Sequence, residues 1–189
     1  MKKRLECHPF AAAGLFLLFF ASPAPYAFAV LSSVSLHEAG HLAAALLFGE
    51  RVRGIRLMPA GISIALSPPS SYAEEFCVAA AGPAMNLLYA LAAELLPFAA
   101  GTWVRGISLF LACLNLLPLF PLDGGRMLSS FTASLFGAEW ARRLALVFSL
   151  LFLSALWVLS LYILFYSGVN VMLLLFCAYL FSYIVLKKL

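Results

Sequence analysis

The chain has 189 residues, 65% of them hydrophobic and 11% charged, with a mean hydropathy of +1.03. Soluble domains average about 45–50% apolar and about 25% charged residues, so a soluble enzyme is excluded and one polytopic membrane domain over 1–189 is expected. The net charge of +4 rests on few residues clustered at segment ends, which is no footprint for nucleic acid.

A spanning helix needs about 20 apolar residues, with a range of about 17–25. The opening "MKKRLECHPFAAAGLFLLFFASPAPYAFAV" has a basic start, an apolar stretch at 5–21 and an A-x-A at 27–29, the pattern of a cleavable signal peptide. The apolar run resumes at Tyr26 with no polar mature start, which favours a retained first helix over 5–21. Pro23 and Pro25 mark the turn after it. The second helix is expected over 26–48, with Gly49 as its stop.

From 52 to 67 the pattern changes. In "GISIALS", Ile62, Ile64 and Leu66 alternate with Ser63, Ala65 and Ser67, the period of a strand. With "RVRGIRLM" before it and the turn residues "PAG" between, this reads as a short β-hairpin over about 52–67; an interfacial loop is the alternative. Open sheet edges are not tolerated against lipid, so a hairpin here must lie at the interface or line a wet cavity. Further helices are expected over 76–96, 103–119, 143–165 and 170–186. The fold class is therefore all-α and membrane-integral, with about six transmembrane helices and one membrane-associated hairpin.

Orientation follows from Lys and Arg. With six spans and the N-terminus inside, Lys2, Lys3, Arg4, Arg51, Arg53, Arg56, Arg126, Arg142, Arg143, Lys187 and Lys188 all fall inside. Only Arg105 falls outside, so eleven of the twelve cations share one side. Both termini are expected in the cytoplasm. The cysteines (Cys7, Cys77, Cys113, Cys177) form no C-x-x-C pair and read as apolar filler.

The chemistry lies in "HEAGH" at 37–41. His37 and His41 are spaced i, i+4, so on a helix both imidazoles share one face and can bind one zinc ion, with Glu38 within reach of a metal-bound water. Packed core histidines are a poor alternative, because lipid offers no water to satisfy them and Glu38 would be a buried charge. A catalytic zinc takes three protein ligands. The candidate third is Asp123 in "NLLPLFPLDGGRML", after a proline-broken helix end and before Gly124 and Gly125; capping of a helix starting at Gly124 is its other reading. Glu50, Glu74, Glu75 and Glu139 sit near expected interfaces, and Glu94 near the outer end of the third helix.

Three motifs, "HEAGH" (37–41), "AAGPAMNLL" (80–88) and "NLLPLFPLDGG" (115–125), fall in order on the second, third and fourth expected helices. In them the chain resembles the site-2 protease family of intramembrane zinc metalloproteases. Six spans and no PDZ or other soluble domain resemble the subgroup of the sporulation protease that processes a sigma-factor precursor. The CBS domain of that subgroup's best-known member is not in this sequence. The resemblance implies one zinc ion held by His37, His41 and Asp123, with Glu38 as general base. Asn115 and Asn86 are candidates for holding substrate or the oxyanion, or for helix–helix hydrogen bonding. Ile62 and Ile64 on the hairpin would dock an unwound substrate segment as an added strand. Gly82 and Pro83 read as packing residues.

The function expected is regulated intramembrane proteolysis: cleavage in or next to a transmembrane segment of a membrane-spanning or membrane-tethered protein, in a bacterial cell membrane, with a membrane-protein regulator as a further partner. A catalytically inactive relative that binds and regulates a membrane protein is the alternative, opposed by intact His37, Glu38, His41 and Asp123. A small transporter is opposed by the lack of inverted repeats.

Overall fold

A computed structural model describes residues 5–7, 22–50, 52–58, 61–67, 69–96, 98–167 and 172–187. The chain divides into two compact units, residues 1–114 and 115–189.

The first unit contains β1 (Leu5–Cys7), α1 (Ala24–Leu47), β2 (Val52–Met58), β3 (Gly61–Leu66), α2 (Tyr72–Ala92) with a 3-10 turn at Ala93–Leu95, and α3 (Phe98–Asn115), whose last residue opens the second unit. α1 and α2 form its main packing layer. Their buried positions are rich in small residues. On α1 the buried positions are Ala27, Ala29, Ser33, His37, Gly40 and Ala45; on α2 they are Val78, Ala79, Gly82, Pro83, Asn86 and Ala90. Small side chains let two helix backbones approach closely, which is how helices associate where lipid removes the hydrophobic drive. Gly40 shows how close: a Cβ there would meet the Ala81 carbonyl oxygen and Met85 Cγ, each at 2.6 Å.

α3 is tied to α1 at two levels. Ser33 and Ser108 share a buried hydroxyl–hydroxyl hydrogen bond of 2.8 Å. Tyr26 and Trp103 meet edge to face at 5.2 Å. Beyond the end of α2, Arg105 pairs with Glu94 at 3.1 Å, both side chains more than half exposed.

The strands form one sheet in the order β1–β2–β3. β2 and β3 pair antiparallel over the stretch read as a hairpin, with Ile55 opposite Ile64 and Leu57 opposite Ile62. β3 lies against α1. β1 is parallel to β2, with Leu5, Glu6 and Cys7 opposite Ile55, Arg56 and Leu57. This corrects the helix expected from residue 5: Leu5–Cys7 is a strand, its backbone partnered by β2. The remainder of that expected helix, 8–21, lies outside the described residues.

The second unit holds α4 (Asp123–Phe136), α5 (Ala138–Ser167) and α6 (Met172–Lys187). α4 packs on α5, and α5 on α6. Leu119, Leu153, Cys177, Leu180 and Ile184 form its buried core. Gly137, at φ 85°, separates α4 from α5 in a backbone conformation that side chains resist. α4 was not among the expected spans, although a helix starting at Gly124 was the other reading of Asp123. At 14 residues, with Asp123, Arg126, three serines and a threonine, it is too short and polar for a hydropathy scan tuned to spans.

Other ends move for identifiable reasons. α2 begins at Tyr72 rather than at 76, because Ser71 caps it: its hydroxyl accepts from the Glu74 N–H at 3.2 Å, while the Glu74 carboxylate accepts from the Ser70 N–H at 2.8 Å. α3 occupies Phe98–Asn115, several residues earlier than expected, since Pro118 cannot continue it. Among the described residues, three helices are long and apolar enough to cross a membrane: Ala24–Leu47, Tyr72–Leu95 and Ala138–Tyr166; Leu173–Ile184 is a shorter apolar helix. On α5, Leu150, Leu151, Val158, Tyr162 and Phe165 are exposed, as expected of a helix whose solvent is lipid.

Candidate metal centre

The first unit builds a histidine pair. His37 and His41 project from one face of α1 toward α2, His37 only 7% exposed and His41 partly buried. Their rings cross at 87° with centroids 4.7 Å apart, and their Nε2 atoms are 3.2 Å apart. Two imidazoles sharing one zinc at about 2.0–2.1 Å in a tetrahedral arrangement have nitrogens about 3.3 Å apart. The pair therefore has the spacing a single zinc requires.

α2 supplies the mould. His41 Nδ1 is 2.7 Å from the Val78 carbonyl oxygen. A carbonyl can only accept, so this bond puts the proton on Nδ1 and the lone pair on Nε2. The Asn86 side-chain amide, by its nitrogen Nδ2, sits 3.1 Å from His37 Nδ1. Between these contacts lies Gly82, where an added Cβ would collide with His41 Nε2 and lie 2.5 Å from His41 Cε1 and 2.9 Å from His37 Cε1. Val78, Gly82 and Asn86 are spaced i, i+4, i+8 and so line one face of α2. That stripe runs antiparallel to His37 and His41 and matches their spacing. Glu38, on the same turn of α1, is partly buried.

The sequence reading had Gly82 as a packing residue and did not find Val78. Gly82 is packing of a particular kind, since it makes room for both rings. A backbone carbonyl leaves no sequence signal, but Gly82 and Asn86 share the four-residue spacing of the histidines, and that correspondence was visible.

In the second unit, Asp123 is the first residue of α4. The capping position is Leu122, so Asp123 is not the N-cap of a helix starting at Gly124. Its carboxylate is 7% exposed by residue and lies 3.5 Å from the Arg126 guanidinium, at the helix end where the backbone dipole favours negative charge. Gly124 and Gly125 let α4 start hard against the preceding segment. A Cβ on Gly124 would run into the Leu116 carbonyl, and one on Gly125 would come within 2.6 Å of the Leu119 carbonyl. That segment is pinned in turn: the Phe120 N–H donates to Ser149 Oγ on α5 at 3.1 Å, and Leu119 is fully buried. Asn115 closes α3 and is partly buried. Ile62 and Ile64 lie on β3, which pairs with β2 along one edge.

An apolar helix long enough to cross a membrane, carrying two imidazoles with ring nitrogens turned toward one another and a glutamate between them, is the arrangement of a helical membrane protein with a metal-binding centre. The chain belongs to peptidase family M50, whose model matches residues 25–101 and 96–159. It is similar to the stage IV sporulation protein FB of Bacillus subtilis, at 33% identity over 69% of this chain and 49% of that protein. It is also similar to a zinc metalloprotease of Methanocaldococcus jannaschii, at 28% identity over 56% of this chain and 33% of that one. The chain spans half or less of the length of these relatives. Its fold resembles the solved site-2 protease from Methanocaldococcus jannaschii, with a TM-score of 0.65 at 22% identity over 94% of this chain and 87% of that one. Zinc is the cofactor that goes with the family, and the paired imidazoles fit it.

Proposed function

We propose that the chain is an intramembrane zinc endopeptidase, cutting a peptide bond in or next to a transmembrane segment of a membrane-associated protein, in the manner of regulated intramembrane proteolysis. The observation that carries this reading is the imidazole pair, with Nε2 atoms 3.2 Å apart, on an apolar helix of a family M50 chain. His37, His41 and Asp123 are its zinc ligands. The support for Asp123 is the "LDGG" run at 122–125 and a buried carboxylate held rigidly at a helix start.

When bound, zinc supplies Lewis acidity, polarising the scissile carbonyl and making a water acidic near neutral pH. Glu38 takes the proton from the attacking water as its oxygen bonds to the carbonyl carbon. It then returns that proton to the amide nitrogen as the C–N bond breaks. His41 holds its lone pair toward the metal because Val78 fixes its proton on the other nitrogen. Asn115, eight residues before Asp123 in "NLLPLFPLDGG", is the candidate for holding substrate or the oxyanion.

A helical substrate hides its carbonyls in its own hydrogen bonds, so the cut segment must be extended. β3, the last strand in the sheet order, is a membrane-associated edge on which such a segment can add, with Ile62 and Ile64 setting its register. The reading takes the chain as one catalytic domain of about six spans, in a bacterial cell membrane with cytoplasmic termini. Three of those spans are the long apolar helices, and α3 and α6 are candidates for two more. A membrane-protein regulator fits the same scheme.

Co-expression with single-span or tethered candidate substrates tests the proposal, comparing wild type with Glu38→Gln and Asp123→Ala. Glu38→Gln retains zinc and abolishes cleavage; Asp123→Ala lowers zinc content as well as cleavage. Full zinc and activity in Asp123→Ala would remove it from the ligand set. Uncut candidates alongside stable substrate binding, equal in wild type and Glu38→Gln, would favour the inactive-regulator reading.

A further inference from the structure

We infer that Asn86 is a positioning residue for the metal centre: its side-chain oxygen accepts the Nδ1 proton of His37 and so commits His37 Nε2 to the metal. The inference rests on the metal-centre reading above.

The two histidines are held differently. His41 faces the Val78 carbonyl, which can only accept, so its tautomer is fixed by backbone. In the structure the Asn86 amide nitrogen Nδ2 lies 3.1 Å from His37 Nδ1, but the nitrogen and oxygen ends of an amide are distinguished by their hydrogen bonds and not by their shape, and the end turned inward decides whether it donates or accepts. For His37 to give its Nε2 lone pair to a metal, Nδ1 must carry the proton, and only the oxygen end of Asn86 can receive it. A half-turn of the amide exchanges the two ends and keeps the 3.1 Å approach. With the oxygen turned the other way, it is buried and has no hydrogen-bond partner among the described residues. Turning it to Nδ1–H satisfies a buried acceptor and sets the ligand together. Asn86 is itself 0% exposed, which suits a residue acting through His37 and not one touching substrate. Outer contacts of this kind orient a ligating imidazole and raise its basicity.

The test compares full-length wild type with Asn86→Asp and Asn86→Leu in detergent micelles, by zinc competition against a chromogenic chelator and by the visible spectrum of the cobalt-substituted protein. Asn86→Asp keeps only acceptors; Asn86→Leu keeps volume without polarity. Asn86→Leu should lose about 10–100-fold in zinc affinity and show altered cobalt bands, whereas Asn86→Asp should bind zinc at least as well as wild type with unchanged bands. Wild-type affinity in Asn86→Leu, or equal loss in both variants, overturns the inference; equal loss would mean the amide acts as donor. Should Asn86→Leu fail to fold, Asn86→Asp decides, zinc retained supporting the role and zinc lost refuting it. A wild type that takes up no zinc overturns the metal centre itself, and this role with it.

Discussion

Gly82→Ala is the substitution that presses hardest on the imidazole mould. The new methyl would lie 2.5 Å from His41 Cε1 and 2.9 Å from His37 Cε1, where carbon contacts settle at about 3.5–4.0 Å. One ring or the helix must therefore retreat by about 1 Å, against a tolerance of about 0.2 Å for metal–ligand distances. Two effects on stability oppose each other. Alanine gains about 0.8–1.0 kcal/mol over glycine inside a helix, and overpacking costs about 1–3 kcal/mol. Net destabilisation should thus be modest, from nothing to about 2 kcal/mol, while zinc affinity falls at least about tenfold, or about 1.4 kcal/mol. The assay is chelator competition on purified protein, with thermal unfolding of the same samples. Gly106→Ala on α3 is the control, since a Cβ there meets nothing within 4 Å. Wild-type zinc affinity in a folded Gly82→Ala protein would refute the argument that α2 shapes the site.

Proline in place of Ile62 or Ile64 removes a backbone donor from β3, and should weaken cleavage of a tethered substrate more than it weakens zinc binding; equal loss of both, or of neither, would count against strand docking. Ser149→Ala leaves the part-buried Phe120 N–H without its 3.1 Å acceptor, at a cost of about 1 kcal/mol, the low end for an unsatisfied donor, read as a lower unfolding midpoint in micelles. An unchanged midpoint would mean that this bond does not anchor the segment leading to Asp123.

Legibility in the sequence varied with the range of the physics involved. The i, i+4 spacing of His37 and His41 is local helix geometry, so the shared face could be read directly, and the period of Ile62, Ile64 and Leu66 marked a strand where β3 now lies. Helix starts were blurred where the first turn is polar: the Ser71 hydroxyl, accepting from the Glu74 N–H, begins α2 four residues before the apolar window does, although S-x-x-E was there to be read. The 14-residue α4 was absent from the expected spans because its polar face lowers its hydropathy, and its start depends on Gly124 and Gly125 lying against the segment before it. β1 was misread because an apolar segment starting at Leu5 looks helical until a partner strand is known. The Val78 carbonyl could not be found at all, because every residue has one.

The most direct test of the account is the metal content of purified wild-type protein that cleaves a tethered substrate, measured by elemental analysis with zinc-edge X-ray absorption on the same sample. The account predicts one zinc per chain in a low-coordinate nitrogen and oxygen environment containing two imidazoles, lost when His37 or His41 is replaced by alanine. Active protein without stoichiometric metal, or zinc retained without the histidine pair, would contradict it.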